Sequence, residues 1–255
     1  MKTEAVIFDW AGTTVDYGCF APVGAFIKAF EEFGITPTVD EVRAPMGMLK
    51  WNHINEMLKG ERISCEWEKI YGRKWTNADV DDVYDKSEKA ILDIVSEYAE
   101  PKPYVIETVE RLRMMGIKIG STTGYTDEMM NIVVPKAKEL GYSPDCWFSP
   151  NSVGNFGRPY PYMIFENMKR LEISSVENVI KIGDTISDIK EGKNAGVISV
   201  GVIEGSSVMA MSEEEFNGLS HNEKAEIRNT VKEKFIAAGA DYVIDDIRGI
   251  LDLIK

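Results

Sequence analysis

The stretch Ala5-Val6-Ile7-Phe8-Asp9-Trp10-Ala11-Gly12-Thr13-Thr14 carries the reading of the chain. Its four apolar residues form an unbroken run without polar alternation, the pattern of a strand covered on both faces in a parallel sheet. A carboxylate at the end of such a run has no packing use. The order Asp-x-x-Gly-Thr puts it at the carboxyl edge of the sheet, where open α/β folds bind ligands. An isolated Asp would be equally at home there as a turn residue. Three distant segments tip the balance. Ser121-Thr122-Thr123-Gly124 follows Gly116-Ile117-Lys118-Ile119-Gly120, Arg158 stands in Gly157-Arg158-Pro159-Tyr160-Pro161, and Gly183-Asp184-Thr185-Ile186-Ser187-Asp188 follows Val179-Ile180-Lys181-Ile182. Each is a polar cluster just past an apolar strand or beside a helix start.

Between Cys19 and Glu97 the hydrophobic period is helical and strand signal is scarce, which predicts helices over 22–33, 39–45, 49–58, 64–74 and 77–98. From Pro103 onward the two patterns alternate: helix 104–115, strand 117–121, helix 127–140, strand 146–148, helix 160–170, strand 179–183, helix 186–194 and strand 197–202. Two more helices fall within 206–240, then an edge strand at 241–244 and a helix at 246–254. Alternation of this kind implies right-handed βαβ crossovers. The expected fold class is therefore α/β, a doubly wound, Rossmann-like parallel sheet built from residues 1–17 and 99–255. An all-helical cap domain, 18–98, is expected as an insert after the first strand. Asp16 to Gly18 and Pro101 to Pro103 read as hinges on which such a cap would close and expel water.

Composition narrows the function classes. The chain has 255 residues, 44% of them hydrophobic and 28% charged, which is ordinary for a globular protein with a sizeable core. The formal net charge of −13 argues against a nucleic-acid partner, because phosphate backbones are bound by basic faces. An anionic substrate is still compatible where Lys50, Arg158 and a metal focus positive charge in a cleft. No stretch approaches the roughly 20 apolar residues of a membrane span, and the N-terminus runs into a strand without a signal-peptide pattern. A cytoplasmic location is expected, with no membrane partner. Cys19, Cys65 and Cys146 are odd in number and widely spaced, so they indicate neither a disulfide framework nor a zinc site.

Taken together and in this order, the four clusters resemble the haloacid dehalogenase superfamily of aspartyl-nucleophile phosphotransferases, over nearly the whole chain. Most phosphatases and mutases of that superfamily carry a second Asp two residues after the nucleophile, to move the proton of a leaving oxygen. Here that position is Ala11. With Asp-Tyr-Gly-Cys-Phe-Ala-Pro at 16–22, Met46-Gly47-Met48-Leu49-Lys50 and His53, the chain is similar to the phosphonatase family, which cleaves the carbon–phosphorus bond of phosphonoacetaldehyde.

That resemblance implies a set of roles. Asp9 would be the nucleophile and, with the Ala11 carbonyl and Asp184, a ligand of Mg²⁺, which takes few protein oxygens and keeps several waters. Asp188 would hold water ligands or loop amides rather than the ion. Thr123 and the Gly124 amide would bind phosphoryl oxygens, and Arg158 would neutralise another. Cys19, Met46 and Tyr125 would line the pocket. A homodimer joined through the cap is implied too, for which Trp67, Tyr71, Trp75 and Tyr84 would suit either an interface or an ordinary core.

Lys50 is the residue the chemistry singles out. A carbon–phosphorus bond does not release its carbon as a stable anion, so protonating a leaving oxygen is no help. An amine condensed with the aldehyde gives a protonated imine, and cleavage then leaves a neutral enamine. This requires a pocket that favours the free amine. His53, three residues on, shares a helical face with Lys50 and would move the protons of condensation and dehydration. His221, in a polar run, reads as a solvated helix start. Two rivals stand beside this reading: a phosphatase or phosphomutase acting on a small phosphate ester, disfavoured by Ala11, and a catalytically inactive binding protein, disfavoured by the presence together of Asp9, Lys50, Thr123, Arg158 and Asp184.

Overall fold

The computed structural model describes residues 3–45 and 50–254. They fall into two compact units, one running up to Cys19 and resuming at Tyr98, the other spanning Phe20–Glu97.

The second unit is helical: α1 (Ala21–Glu31), α2 (Val39–Arg43), α3 (Lys50–Lys59), α4 (Glu61–Tyr71) and α5 (Asn77–Ile94). Local chemistry sets the helix ends. Thr38 and Glu41 form a capping box at the start of α2, and Thr76 and Asp79 do so at α5, where Arg73 clamps the same carboxylate with bonds of 2.7 Å. Gly72 ends α4 in the left-handed region. Phe26, Phe30, Ile54, Leu58, Trp67 and Val83 build the core of this unit. Trp67 is therefore a packing residue, with Tyr71 stacked on it at 4.5 Å between ring centroids.

The first unit is a six-stranded parallel sheet of β1 (Ala5–Phe8), β2 (Lys118–Thr122), β3 (Cys146–Phe148), β4 (Val179–Gly183), β5 (Ile198–Val202) and β6 (Tyr242–Ile244). The strand order is β3-β2-β1-β4-β5-β6, which makes this the doubly wound α/β class expected from the sequence. The direction of winding reverses between β1 and β4. Phe8 pairs with Ser121 on one side and Ile182 on the other, so three strands end at one level and release their loops together. Around the sheet lie α6 (Val105–Met114), α7 (Asp127–Glu139), α8 (Tyr162–Arg170), α9 (Ile186–Ala195), α10 (Glu213–Gly218) and α11 (His221–Ala237). His221 is exposed at the first position of α11, after the Ser220 cap.

The helix expected over 246–254 is instead a short 3₁₀ segment, Ile247–Asp252. Six residues interrupted by a glycine are too few to repay the nucleation of an α-helix. None of the described helices is long and apolar enough to cross a membrane.

Candidate active site

The site forms where the winding reverses, because β1 and β4 both end in acids there. Asp9 follows β1 and is 4% exposed, and its backbone N–H donates to the Ile182 carbonyl at 2.9 Å. Asp184 follows β4 and is fully buried. Between the two, the Thr13 hydroxyl lies 3.4 Å from Asp9 Oδ2 and 3.2 Å from Asp184 Oδ1. The Ser207 N–H donates to Asp184 Oδ2 at 2.7 Å. The loop between Trp10 and Val15 folds back on itself: the N–H groups of Thr13, Thr14 and Val15 all point at the Trp10 carbonyl, and Ala11 bridges Val15. Asp188 is the third residue of α9 and closes a capping box with Thr185.

Arg158 reaches this cluster from a loop far along the chain. Its Nη2 donates to Asp9 Oδ1 at 2.5 Å and to the Thr122 hydroxyl at 3.0 Å, while Nη1 lies 3.0 Å from Asp188 Oδ1. Its third edge is held by a residue that sequence reasoning missed: Nε donates to Glu191 Oε2 at 3.1 Å. A second missed residue, Lys181, lies on β4 with no exposure and donates to Asp188 Oδ1 at 2.7 Å. Two signals pointed to them. A lysine inside the apolar run Val179-Ile180-Lys181-Ile182 is costly to bury without a partner, and Glu191 sits three residues after Asp188, on the same helix face. Burial raises the Asp188 carboxyl, but Arg158 and Lys181 outweigh it and hold the group below the usual carboxylate range.

Thr123 lies just past β2, buried, and its hydroxyl accepts from the Tyr125 N–H at 3.0 Å. The space beside Gly124 is open. Tyr125 is 8% exposed, and its hydroxyl has no partner among the described residues. Burial, with Asp16, Cys19 and Asp9 nearby, pushes that phenol well up. Cys19 sits in the left-handed region, and burial together with Asp16, Asp184, Asp9 and Asp188 raises its thiol. Lys102 was not singled out from the sequence, yet it is 7% exposed and its Nζ donates to the carbonyls of Gly12 and Glu204, tying the Asp9 loop to the 204–207 loop.

The donor set fits a hard divalent cation. Asp9, Asp184 and Asp188 bring carboxylate oxygens within 4.8 Å of one another, all three residues buried. Burial, Asp9 and Asp188 push the Asp184 carboxyl up to about 8. Among the described residues of this unit, the buried acids Asp9, Asp16, Asp184, Asp188 and Glu191 face Lys102, Lys181 and the nearly buried Arg158. With every group ionised, five acids against three cations leave two negative charges, an imbalance that one divalent ion removes. Asp188 is the most heavily engaged of the three, with Lys181 and Arg158 on one oxygen and Thr185 on the other, whereas Asp9 and Asp184 each keep one oxygen whose one contact here is the shared Thr13 hydroxyl at 3.4 and 3.2 Å.

Lys50 and His53 belong to the helical unit, both on α3. Lys50 is paired with Glu88 and lies 5.9 Å from the centre of the Tyr84 ring. His53 is 2% exposed, stacked on Phe26 at 4.3 Å, and its Nε2 has no partner among the described residues. Burial pushes the imidazole down to about 4, against a hydrogen bond to the backbone of Val42, so the ring is neutral at pH 7. Met46 lies outside the described residues.

The chain is similar to known proteins along almost its whole length. The family model haloacid dehalogenase-like hydrolase matches residues 3–196. A phosphonoacetaldehyde hydrolase of Lysinibacillus sphaericus (strain C3-41) is 48% identical over 100% of this chain and 95% of its own. A bifunctional phosphonoacetaldehyde hydrolase/aminoethylphosphonate transaminase of Clostridioides difficile (strain 630) is 47% identical over 99% of this chain, which spans only 40% of that longer protein. Among solved structures, a phosphonoacetaldehyde hydrolase-like protein from Oleispira antarctica superposes with a TM-score of 0.86 at 36% identity, covering 99% of this chain and 91% of that one.

Proposed function

The chain belongs to the phosphonoacetaldehyde hydrolase family of the haloacid dehalogenase-like hydrolases, and from that premise we propose that it cleaves the carbon–phosphorus bond of phosphonoacetaldehyde to acetaldehyde and phosphate. One observation carries the reading beyond the family: the Asp9 carboxylate is aimed by Arg158, and the residue two positions on is Ala11, with no proton to give a leaving oxygen. Chemistry that leaves through carbon has no use for such a proton.

Lys50 condenses with the aldehyde, losing water, to a protonated imine. Asp9 attacks phosphorus and forms an aspartyl-phosphate, and the electrons of the carbon–phosphorus bond pass into the imine to give an enamine. Protonation at carbon and hydrolysis return the amine and release acetaldehyde, while a second water releases phosphate from Asp9. Thr123, the Gly124 amide and Arg158 hold phosphoryl oxygens. His53, neutral and with a free Nε2, accepts and returns protons during imine formation. Asp9, Asp184 and the Ala11 carbonyl would hold Mg²⁺, which when bound offsets charge on the phosphoryl group. Cys19 and Tyr125 line the substrate's surroundings, and the family resemblance gives Met46, outside the described residues, the same role. A cytoplasmic homodimer completes the reading, with light scattering as the check on its mass.

Borohydride added with substrate tests it. The expected result is a reduced secondary amine on the peptide carrying Lys50 and loss of activity, with Lys50→Arg blocking both because a guanidinium is a poor nucleophile. A tag on another lysine, or comparable rates on simple phosphate esters, would return the chain to a generic phosphatase.

A further inference from the structure

Glu191 has no place in the reaction as described, yet it is fully buried beside a site for an anion. Its carboxylate works against the binding of a phosphoryl group, and its Oε1 has no partner among the described residues. A buried oxygen left unpaired is destabilising, because it has given up water without gaining a partner. Neither anion binding nor stability explains such a group.

The geometry around Arg158 does. Glu191 Oε2 accepts from Arg158 Nε at 3.1 Å and from the Thr122 hydroxyl at 3.0 Å, and the same hydroxyl accepts from Arg158 Nη2 at 3.0 Å. Asp188 takes Nη1 at 3.0 Å. A guanidinium is planar, so fixing two of its edges fixes where the third points. Here the remaining edge points at Asp9. Lys181 Nζ lies 3.7 Å from Glu191 Oε2 but is already bonded to Asp188 at 2.7 Å, so compensating Lys181 does not require Glu191.

We infer that Glu191 is a positioning residue: through Nε of Arg158 and the hydroxyl of Thr122 it aims the guanidinium at the phosphoryl group held over Asp9. This rests on Arg158 being the phosphoryl-binding cation.

Two conservative variants separate aiming from charge compensation. Glu191→Gln keeps the reach of the acceptor and removes the charge, whereas Glu191→Asp keeps the charge and withdraws the acceptor by one methylene. The readout is the affinity of the metal-loaded protein for inorganic phosphate by calorimetry, with melting curves as the control for folding. Aiming predicts less than threefold weakening in Glu191→Gln and at least tenfold in Glu191→Asp, with kcat on phosphonoacetaldehyde following the same order. Glu191→Asp should add nothing further in an Arg158→Ala background, because the group it aims is gone. The reverse order, equal affinities in both variants, or loss of the folded state in both would overturn the proposal. An unchanged phosphate affinity in Arg158→Ala alone would instead overturn the role given to Arg158. Because phosphate is the probe, this arm reports even if phosphonoacetaldehyde is not the substrate.

Discussion

Gly12 and Asp184 are pressed together: a β-carbon built on Gly12 would lie 2.2 Å from Asp184 Oδ2. Gly12 is also in the left-handed region, at φ +81°, while Asp184 is held from behind by the Ser207 N–H. The Asp9 loop can approach the second acid this closely because residue 12 has no side chain.

Gly12→Ala should therefore lose about 2 kcal/mol or more of stability, from backbone strain together with the collision. Urea unfolding with and without Mg²⁺ measures both this loss and the expected weakening of metal binding. A stability within about 0.5 kcal/mol of the parent, typical of a neutral surface change, would contradict the close approach.

Metal binding should itself be visible without turnover. A ligand that binds only the folded state stabilises it by about 2.7 kcal/mol at 100 times its Kd. Mg²⁺ should raise the melting temperature of the parent in a concentration-dependent way, and Asp184→Ala should show no such rise. An equal rise in both would place the ion elsewhere.

His53 makes a prediction about pH. Its folded value, about 4, lies below the ordinary 6.5 because burial opposes the charged ring. Between those values the unfolded chain takes up a proton that the folded chain refuses, so stability is intact above pH 6.5 and is lost as pH falls toward 4. The loss is on the order of 2–3 kcal/mol. The difference in unfolding free energy between parent and His53→Leu, measured from pH 7 to pH 4, should change by that amount. A difference independent of pH would mean that the ring charges freely in the fold.

Asn167 ties α8 to β2. Fully buried, it accepts from the Ser121 N–H at 3.0 Å and donates to the carbonyls of Ser121 and Met163 at 2.8 and 2.9 Å. Asn167→Leu, with the same number of side-chain heavy atoms, removes these three bonds and a fourth from Cys146 Sγ at 3.3 Å, and should cost about 2–4 kcal/mol. Denaturant titration gives the number, and a loss below about 1 kcal/mol would show that the backbone groups find other partners.

The alternation of apolar runs with helical periods was enough to read the sheet, because a strand covered on both faces is mostly apolar and a surface helix is not. Thus β3 and β4 begin and end where the pattern put them, at Cys146–Phe148 and Val179–Gly183. The same logic marked Asp9 and Asp184, since an acid at the end of such a run has no packing use. Ala11 and Lys50 stood out because their residue types depart from, or add to, what a phosphoryl-transfer site requires; the structure places Lys50 in the helical unit, paired with Glu88.

What the sequence by itself determined, then, is the order of the elements and the acids at their ends, both of which depend on neighbours along the chain. Only the tertiary structure decided which charges meet. Arg158 reaches Asp9, Asp188 and Glu191 across a sheet whose strand order reverses between β1 and β4, and no local pattern encodes that separation. For Lys181 and Glu191 the local signals named a buried charge but not its partners, which are supplied by packing α9 onto β4 and by the distant loop that carries Arg158.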